Sequence, residues 1–180
     1  VINEARSLYA SVFKDGAITS FVQDHSVHFD SRAYDINNLG IATGHVSMAI
    51  SGKLRTKFYY IDTTNVDEMA LVTPTDFFDS SSSTARAIND NGFIVGEGEV
   101  ETHTDSTQNP RRTHAFLYDI NNDVFQDIND LIACDSQYSI IEARDINEDN
   151  MISGSAVYKA QRQDATGELM FDIDGEALME

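Results

Sequence analysis

One phrase occurs three times in this chain, and no other feature limits the possible fold so strongly. The copies are Ala33-Tyr34-Asp35-Ile36-Asn37-Asn38-Leu39-Gly40-Ile41-Ala42-Thr43-Gly44, Ala85-Arg86-Ala87-Ile88-Asn89-Asp90-Asn91-Gly92-Phe93-Ile94-Val95-Gly96 and Ala143-Arg144-Asp145-Ile146-Asn147-Glu148-Asp149-Asn150-Met151-Ile152-Ser153-Gly154. They align without a gap, with starts 52 and 58 residues apart. The shared skeleton is Ala-x-x-Ile-Asn-x-x-(Gly/Asn), a three-residue, mostly apolar stretch and a closing glycine. A period of that length is close to one four-stranded propeller blade, a unit that must stack on its neighbours to bury a core.

The skeleton reads as a β-hairpin. Ile36, Ile88 and Ile146 end a short strand, and Asn37, Asn89 and Asn147 open the turn, each side chain able to bond its own backbone two residues on. The position three later needs a positive φ, which glycine adopts freely and asparagine at modest cost. Its occupants are Gly40, Gly92 and Asn150. After a variable polar loop, each copy continues with an apolar segment ending in aspartate: Phe58–Asp62, His114–Asp119 and Leu169–Asp172. Such runs suit strands buried on both faces. Fourth strands are expected at Met69–Val72 and Val124–Ile128, while the third unit runs out near Gly175–Leu178.

These elements predict an all-β chain of repeated four-stranded antiparallel units, blades of a partial β-propeller. Residues 1–30 close a preceding unit with a hairpin of Leu8–Phe13 and Ala17–Val22 about a Lys14-Asp15-Gly16 turn; repeats follow at 31–83, 84–141 and, incomplete, 142–180. The chain begins at Val1 and enters a strand-like segment almost at once, so it reads as a piece of a longer protein. Blades this few do not close a normal ring of roughly four to eight. Open strand edges are therefore expected, with a homodimer through those edges as one outcome.

Composition excludes several function classes. Against 12 basic residues stand 30 acidic ones, a formal charge of −18 that repels phosphate backbones and rules against nucleic acid as partner. Arg111-Arg112 is a lone basic pair, too small for such a site. No apolar run reaches the ~20 residues needed to span a bilayer. Cys134 is the single cysteine, so no disulfide forms within the chain and no cysteine cluster holds zinc. With no histidine near it in sequence, it reads as an inert thiol.

The combination His114-Ala115-Phe116-Leu117-Tyr118-Asp119, Asp127-Ile128-Asn129-Asp130-Leu131-Ile132 and Glu142-Ala143-Arg144-Asp145-Ile146-Asn147 resembles the HAF-repeat proteins of bacteria, named for the His-Ala-Phe triplet. Similar repeats occur in a large uncharacterised family of marine bacteria. The resemblance runs over residues 31–180 and departs where Lys57 and Gly167 stand in place of His114. It implies an extracellular or envelope location and a propeller-like repeat, and it carries no catalytic residues to transfer.

Candidate chemistry is sparse. Oxygen-bearing Asp119, Asn121, Asp123, Asp127 and Asp130 fall at positions 1, 3, 5, 9 and 12 of a calcium-loop spacing. Val124 stands where that loop wants glycine, Asp130 is one methylene shorter than the usual bidentate glutamate, and no helices flank it. Asp145–Asn150 has a similar look, but across the copies only its asparagine and positive-φ residue persist, which favours a turn. Zinc at His28 and Asp30 is opposed by strand geometry, because His25 and His28 point to opposite faces. His45 and His103 suggest nothing sharper. The glycines from Gly92 to Gly98 belong to the hairpin, with Glu97 and Glu99 beside them repelling phosphate. Ser80–Ser83 reads as a flexible linker, and the loops 73–84 and 97–113 as too polar to bury. The reading is a non-enzymatic repeat domain of a bacterial envelope or secreted protein, binding or scaffolding, without cofactor. Its alternatives are a polysaccharide-acting enzyme using loop carboxylates such as Glu101 and Asp105, and a calcium-dependent adhesion module.

Overall fold

Short turns of two to five residues punctuate the chain into hairpins, and those hairpins fix its topology. The computed structural model describes residues 8–21, 26–171 and 173. Val22, His25, Asp172 and the segment 175–178 lie outside these. Strands β1 (Ser11–Lys14) and β2 (Ala17–Ser20) form an antiparallel pair about Asp15 and Gly16, both at positive φ. That conformation matches the twist of a tight hairpin. Strands β3 (His28–Ile36), β4 (Ile41–Ile50) and β5 (Lys53–Asp62) follow as a three-stranded meander. Next come β6 (Ser83–Ile88), β7 (Phe93–Glu99), β8 (Thr113–Asp119) and β9 (Val124–Asp127), a four-stranded meander, with a 3₁₀ turn at Ile128–Leu131. Finally β10 (Tyr138–Ile146) pairs with β11 (Ile152–Tyr158).

The structure is all-β, in several small antiparallel sheets, and no described helix is long and apolar enough to cross a membrane. Among the described residues, only the second unit has four full strands. In the first, the Met69–Val72 strand shrinks to a single bridge between Tyr60 and Val72. In the third, the segment at Leu169 does not join β11. It folds back on Gln163 instead, and Leu169 and Phe171 are exposed rather than buried on both faces. The reason is local: Gly167 lies at φ +88°, and Asp164 Oδ1 accepts from the backbone N–H groups of Thr166 and Glu168. The position that lies within a strand in the other units, at Lys57 and His114, is thus a tight turn here.

Sheets stack face against face through three apolar clusters. Hairpin β1–β2 places Ala10 and Phe21 against Ala42, Val46, Tyr59 and Ile61 of the first unit. The opposite face of that unit brings Phe58 to Ala85, Ile88, Ile94 and Phe116 of the second. Phe58 and Phe116 have ring centroids 4.7 Å apart, and both are fully buried. The second unit's other face sets Ala87, Val95 and Ala115 against Ala143 and Ile146 of the third. Burying one such aromatic or Ile side chain contributes about 1.5–3 kcal/mol, so these faces hold the units together.

Candidate functional site

The three hairpin turns carry a polar geometry that recurs from unit to unit. Gly40 (φ 81°), Gly92 (φ 83°) and Asn150 (φ 60°) occupy the left-handed region, as their spacing requires. Each preceding asparagine closes its own turn: Asn37 Oδ1 accepts from Leu39 and Ile41 N–H, Asn89 Oδ1 from Phe93 N–H, and Asn147 Oδ1 from Asp149 and Met151 N–H.

The other half of each amide reaches across to the next unit. Asn37 Nδ2 donates to the Asn89 carbonyl at 3.0 Å, and Asn89 Nδ2 donates to the Asn147 carbonyl at 3.0 Å. Asn89 Nδ2 also reaches Asn150 Oδ1 at 2.8 Å. Beside this ladder, Asp90 accepts from Asn38, and Asp90 N–H donates to the Glu148 carboxylate. The asparagine therefore cannot be replaced by aspartate or serine without losing one half of its work: the oxygen makes the turn and the nitrogen joins the units.

Aspartates of the repeat cap strand ends. Asp35 Oδ1 accepts from Ile36 N–H, and Asp145 Oδ1 from Ile146 N–H. The middle copy has Ala87 at this position, and Asp35 supplies the missing acceptor with its second oxygen, taking the Ile88 N–H at 2.9 Å. The closing glycine is explained by the same hairpin. Register shifts fall at Ala33/Asp35, Ala85/Ala87 and Ala143/Asp145, so each first strand bulges beside its partner glycine. A Cβ on Gly44, Gly96 or Gly154 would lie 1.9, 2.0 or 2.1 Å from a backbone carbonyl oxygen. Only a residue without Cβ fits there.

The triplet histidine has a structural partner. His114 Nδ1 lies 2.6 Å from Asp127 Oδ2, tying β8 to β9, while Asp127 Oδ1 accepts from Asn129 N–H. Where the first unit has Lys57 instead, the ammonium bonds both Asp76 oxygens at 2.9 Å. Ser81 and Ser83 complete that cluster by donating to Asp76 at 2.7 and 2.6 Å. The Ser80–Ser83 stretch is therefore no flexible linker: Ser81 and Ser83 are 0% and 2% exposed. A buried ammonium requires a carboxylate and neutral hydrogen bonds, which is what draws the polar 73–84 loop inside. A lysine within the apolar run of β5 was the available signal for this cluster.

The five calcium-spaced residues do not converge. Asp119 pairs with Val124 and Asp127 with Phe116, so Asp119 and Asp127 sit three residues apart along the hairpin, roughly 10 Å. Asp119 accepts from Asn121 and Asn122 N–H, Asp123 Oδ1 accepts the Tyr118 hydroxyl, Asn121 Nδ2 donates to the Asn91 carbonyl, and Asp130 lies in the first turn of the 3₁₀ segment. The Asp123 contact and burial push the Tyr118 phenol up from its ordinary value, burial being the larger cause. Among the described residues no three His, Cys, Asp or Glu side chains come close enough to share a metal ion. His28 lies in β3, and Cys134 is exposed.

The remaining candidates lie on the long loop between β7 and β8. Glu101 bonds the Arg112 backbone N–H and guanidinium, which hold its carboxyl below the usual carboxylate range. Asp105 accepts from Arg111 N–H, and the Arg111 guanidinium pairs with Glu99 at 2.7 Å. Glu101 and Asp105 are thus separately engaged by the two arginines. Between this loop and the third unit lies a cleft of about 320 Å³ bordered by Arg111, Arg112, His114, Ser139 and Lys159, which gathers cationic side chains on an acidic protein.

Residues 3–179 match a family described as a protein of unknown function, DUF3466. The chain belongs to this family. No curated protein and no solved structure matches it. The family is one of unknown function, so membership brings no activity to the chain.

Proposed function

We propose that this DUF3466 chain is a run of β-propeller blades, a HAF-type repeat domain of a bacterial envelope or secreted protein with a non-enzymatic, binding or scaffolding role. The observation that carries the reading is the recurrence of one bond: the same asparagine amide joins the first unit to the second and the second to the third. Repeated, directional stacking of antiparallel meanders is how blades are assembled. The third unit contributes its two inner strands to this run. Polar residues of the repeat are spent on turns, caps and inter-unit bonds, and the long loop between β7 and β8 supplies the variable rim on which binding is grafted in such scaffolds.

The enzymatic alternative needs a carboxyl held protonated near neutral pH, and the Arg112 contacts drive Glu101 the opposite way. The test incubates the chain with a panel of soluble polysaccharides and follows gel retardation and released reducing ends together. Retardation without release supports a binding domain; release that disappears in Glu101→Gln overturns it. Fractionation of cells carrying the tagged protein tests location, and recovery in the cytoplasm rejects the envelope assignment.

A further inference from the structure

One cleft away from the turn ladder combines fixed walls with unpaired polar groups. It has a volume of about 320 Å³, at the lower end of the roughly 300–1,000 Å³ of small-molecule sites, and lies between the second and third units. Its walls are pinned to each other. Asp127 Oδ2 holds His114 Nδ1 at 2.6 Å, and Asp127 Oδ1 accepts from both the backbone and the side-chain N–H of Asn129. Asn129 in turn donates through Nδ2 to the Ile140 carbonyl and accepts at Oδ1 from the Ile140 N–H. Ser139 and Ile141, on either side of Ile140, border the same cleft as His114. The rim is held as firmly, because the Arg111 side chain is 4% exposed and bonds Glu99 and the Ser80 and His103 carbonyls.

The groups that these walls leave unpaired define a ligand. The Asp127 carboxylate sets Nδ1 of His114 as the protonated nitrogen, and in the neutral ring Nε2 then carries the lone pair. Nε2 has no partner among the described residues, and neither do the Thr113 and Ser139 hydroxyls. Arg112 engages Glu101 through Nε and its backbone N–H, with its side chain 74% exposed, and the two terminal guanidinium nitrogens make no bond among the described residues. The Lys159 ammonium likewise makes no ion pair among them. Ile141 and Val157 add an apolar surface. The acids at the rim, Glu99, Glu101 and Asp127, are each committed to Arg111, Arg112 and His114. A chain of formal charge −18 thus keeps here donors for a negative group, one acceptor and an apolar patch side by side.

We propose, resting on the binding role above, that this cleft takes a carboxylated sugar, a uronate unit of an acidic polysaccharide. The carboxylate meets the Lys159 ammonium and the terminal nitrogens of Arg112, whose planar fork matches a carboxylate. Ring hydroxyls donate to His114 Nε2 and exchange hydrogen bonds with Ser139 and Thr113, while the C–H face of the sugar lies on Ile141 and Val157. The acceptor separates this ligand from a simple anion: sulfate has no proton to give Nε2, whereas a sugar hydroxyl has one. Among the described units the acceptor occurs once, since Lys57 in the first is buried against Asp76 and Gly167 stands at the position in the third.

The test titrates the whole chain with a galacturonate trisaccharide by calorimetry, with a galactose trisaccharide and inorganic phosphate as comparators. The acidic sugar is expected to bind at least about tenfold more tightly than either. Lys159→Gln and Ser139→Ala alter side chains without a partner among the described residues; both should leave the melt unchanged, and Lys159→Gln should weaken the acidic sugar about tenfold. Lys53→Gln, at the start of β5 in the first unit, should leave it unchanged. In nitrogen NMR the His114 Nε2 resonance is expected to move with the acidic sugar while those of His28 and His103 stay. Equal affinity for the galactose trisaccharide overturns recognition of the carboxylate, and equal affinity for phosphate reduces the cleft to a simple anion site and overturns the sugar. Binding that survives Lys159→Gln and Ser139→Ala with His114 unmoved overturns this cleft as the site and leaves the binding role standing. Absence of any binding of the galacturonate trisaccharide overturns the proposal, while retardation by the polysaccharide panel decides the binding role separately.

Discussion

If the ladder amides join the units, replacing each asparagine by aspartate should cost stability in proportion to what its nitrogen does. The exchange keeps the oxygen that closes the turn and deletes only the N–H donors. Asn89 is 1% exposed, and its Nδ2 donates to the Asn147 carbonyl and Asn150 Oδ1. Losing two hydrogen bonds costs about 2 kcal/mol, and desolvating a carboxylate oxygen against two acceptors adds about 1–3 kcal/mol, so Asn89→Asp should lose about 3–5 kcal/mol. Asn37 makes one such bond, in a half-buried position, and Asn37→Asp should lose about 1–2 kcal/mol. Asn147 is exposed with no inter-unit acceptor in its own chain, and Asn147→Asp should stay within about 0.5 kcal/mol. Urea unfolding at a concentration low enough to keep the chain monomeric reads all three. Equal losses at the three positions, or the largest at Asn147, would refute the division of labour between oxygen and nitrogen.

Other consequences are as concrete. Asp76→Ala strands the Lys57 ammonium in a site where the two side chains are 8% and 2% exposed, and should cost about 3–5 kcal/mol. The double change Lys57→Met with Asp76→Leu should recover most of it; no recovery in a urea titration rejects the pair as the cause. Gly96→Ala drives a Cβ to 2.0 Å from the Thr84 carbonyl oxygen and should cost about 3 kcal/mol or more by the same assay. Burial first, then Arg32, holds the His45 imidazole below its ordinary 6.5, with Asp30 opposing. The unfolded chain takes up that proton as pH falls below 6.5 while the folded chain resists, so this contribution to stability is intact above 6.5 and declines as pH falls toward the depressed value. His45→Gln should flatten that part of a stability profile. A thermal melt in millimolar calcium should match one in chelator, since a specific site at 100 times its dissociation constant would add about 2.7 kcal/mol.

The hairpins were legible because their signals are local. Three copies of one turn announced Asn37, Asn89 and Asn147 with Gly40, Gly92 and Asn150, and all six take those roles. What lies between units was not legible, because sequence periodicity does not say which carbonyl an amide will meet. Nothing in the sequence around Ala87 tells that Asp35 of the preceding unit accepts from the Ile88 N–H. The serine run read as solvent-exposed because composition outweighed the single lysine in β5 that requires Asp76. The segment at Leu169 kept the apolar look of a third strand, but Gly167 at φ +88° turns the chain away first. The calcium spacing matched in one dimension and failed in three, since a hairpin separates what a compact loop would gather.

The shared carboxylate of Asp35 bears on how such arrays change over generations. Once a neighbour's aspartate covers two strand ends, the alanine in the next copy is sheltered, but Asp35 itself loses its freedom to drift. A duplicated second unit placed behind another second unit would leave an uncapped Ile88 amide, whereas behind a first unit it fits. The order of copies therefore becomes heritable information, locked by one oxygen atom rather than by the repeat consensus.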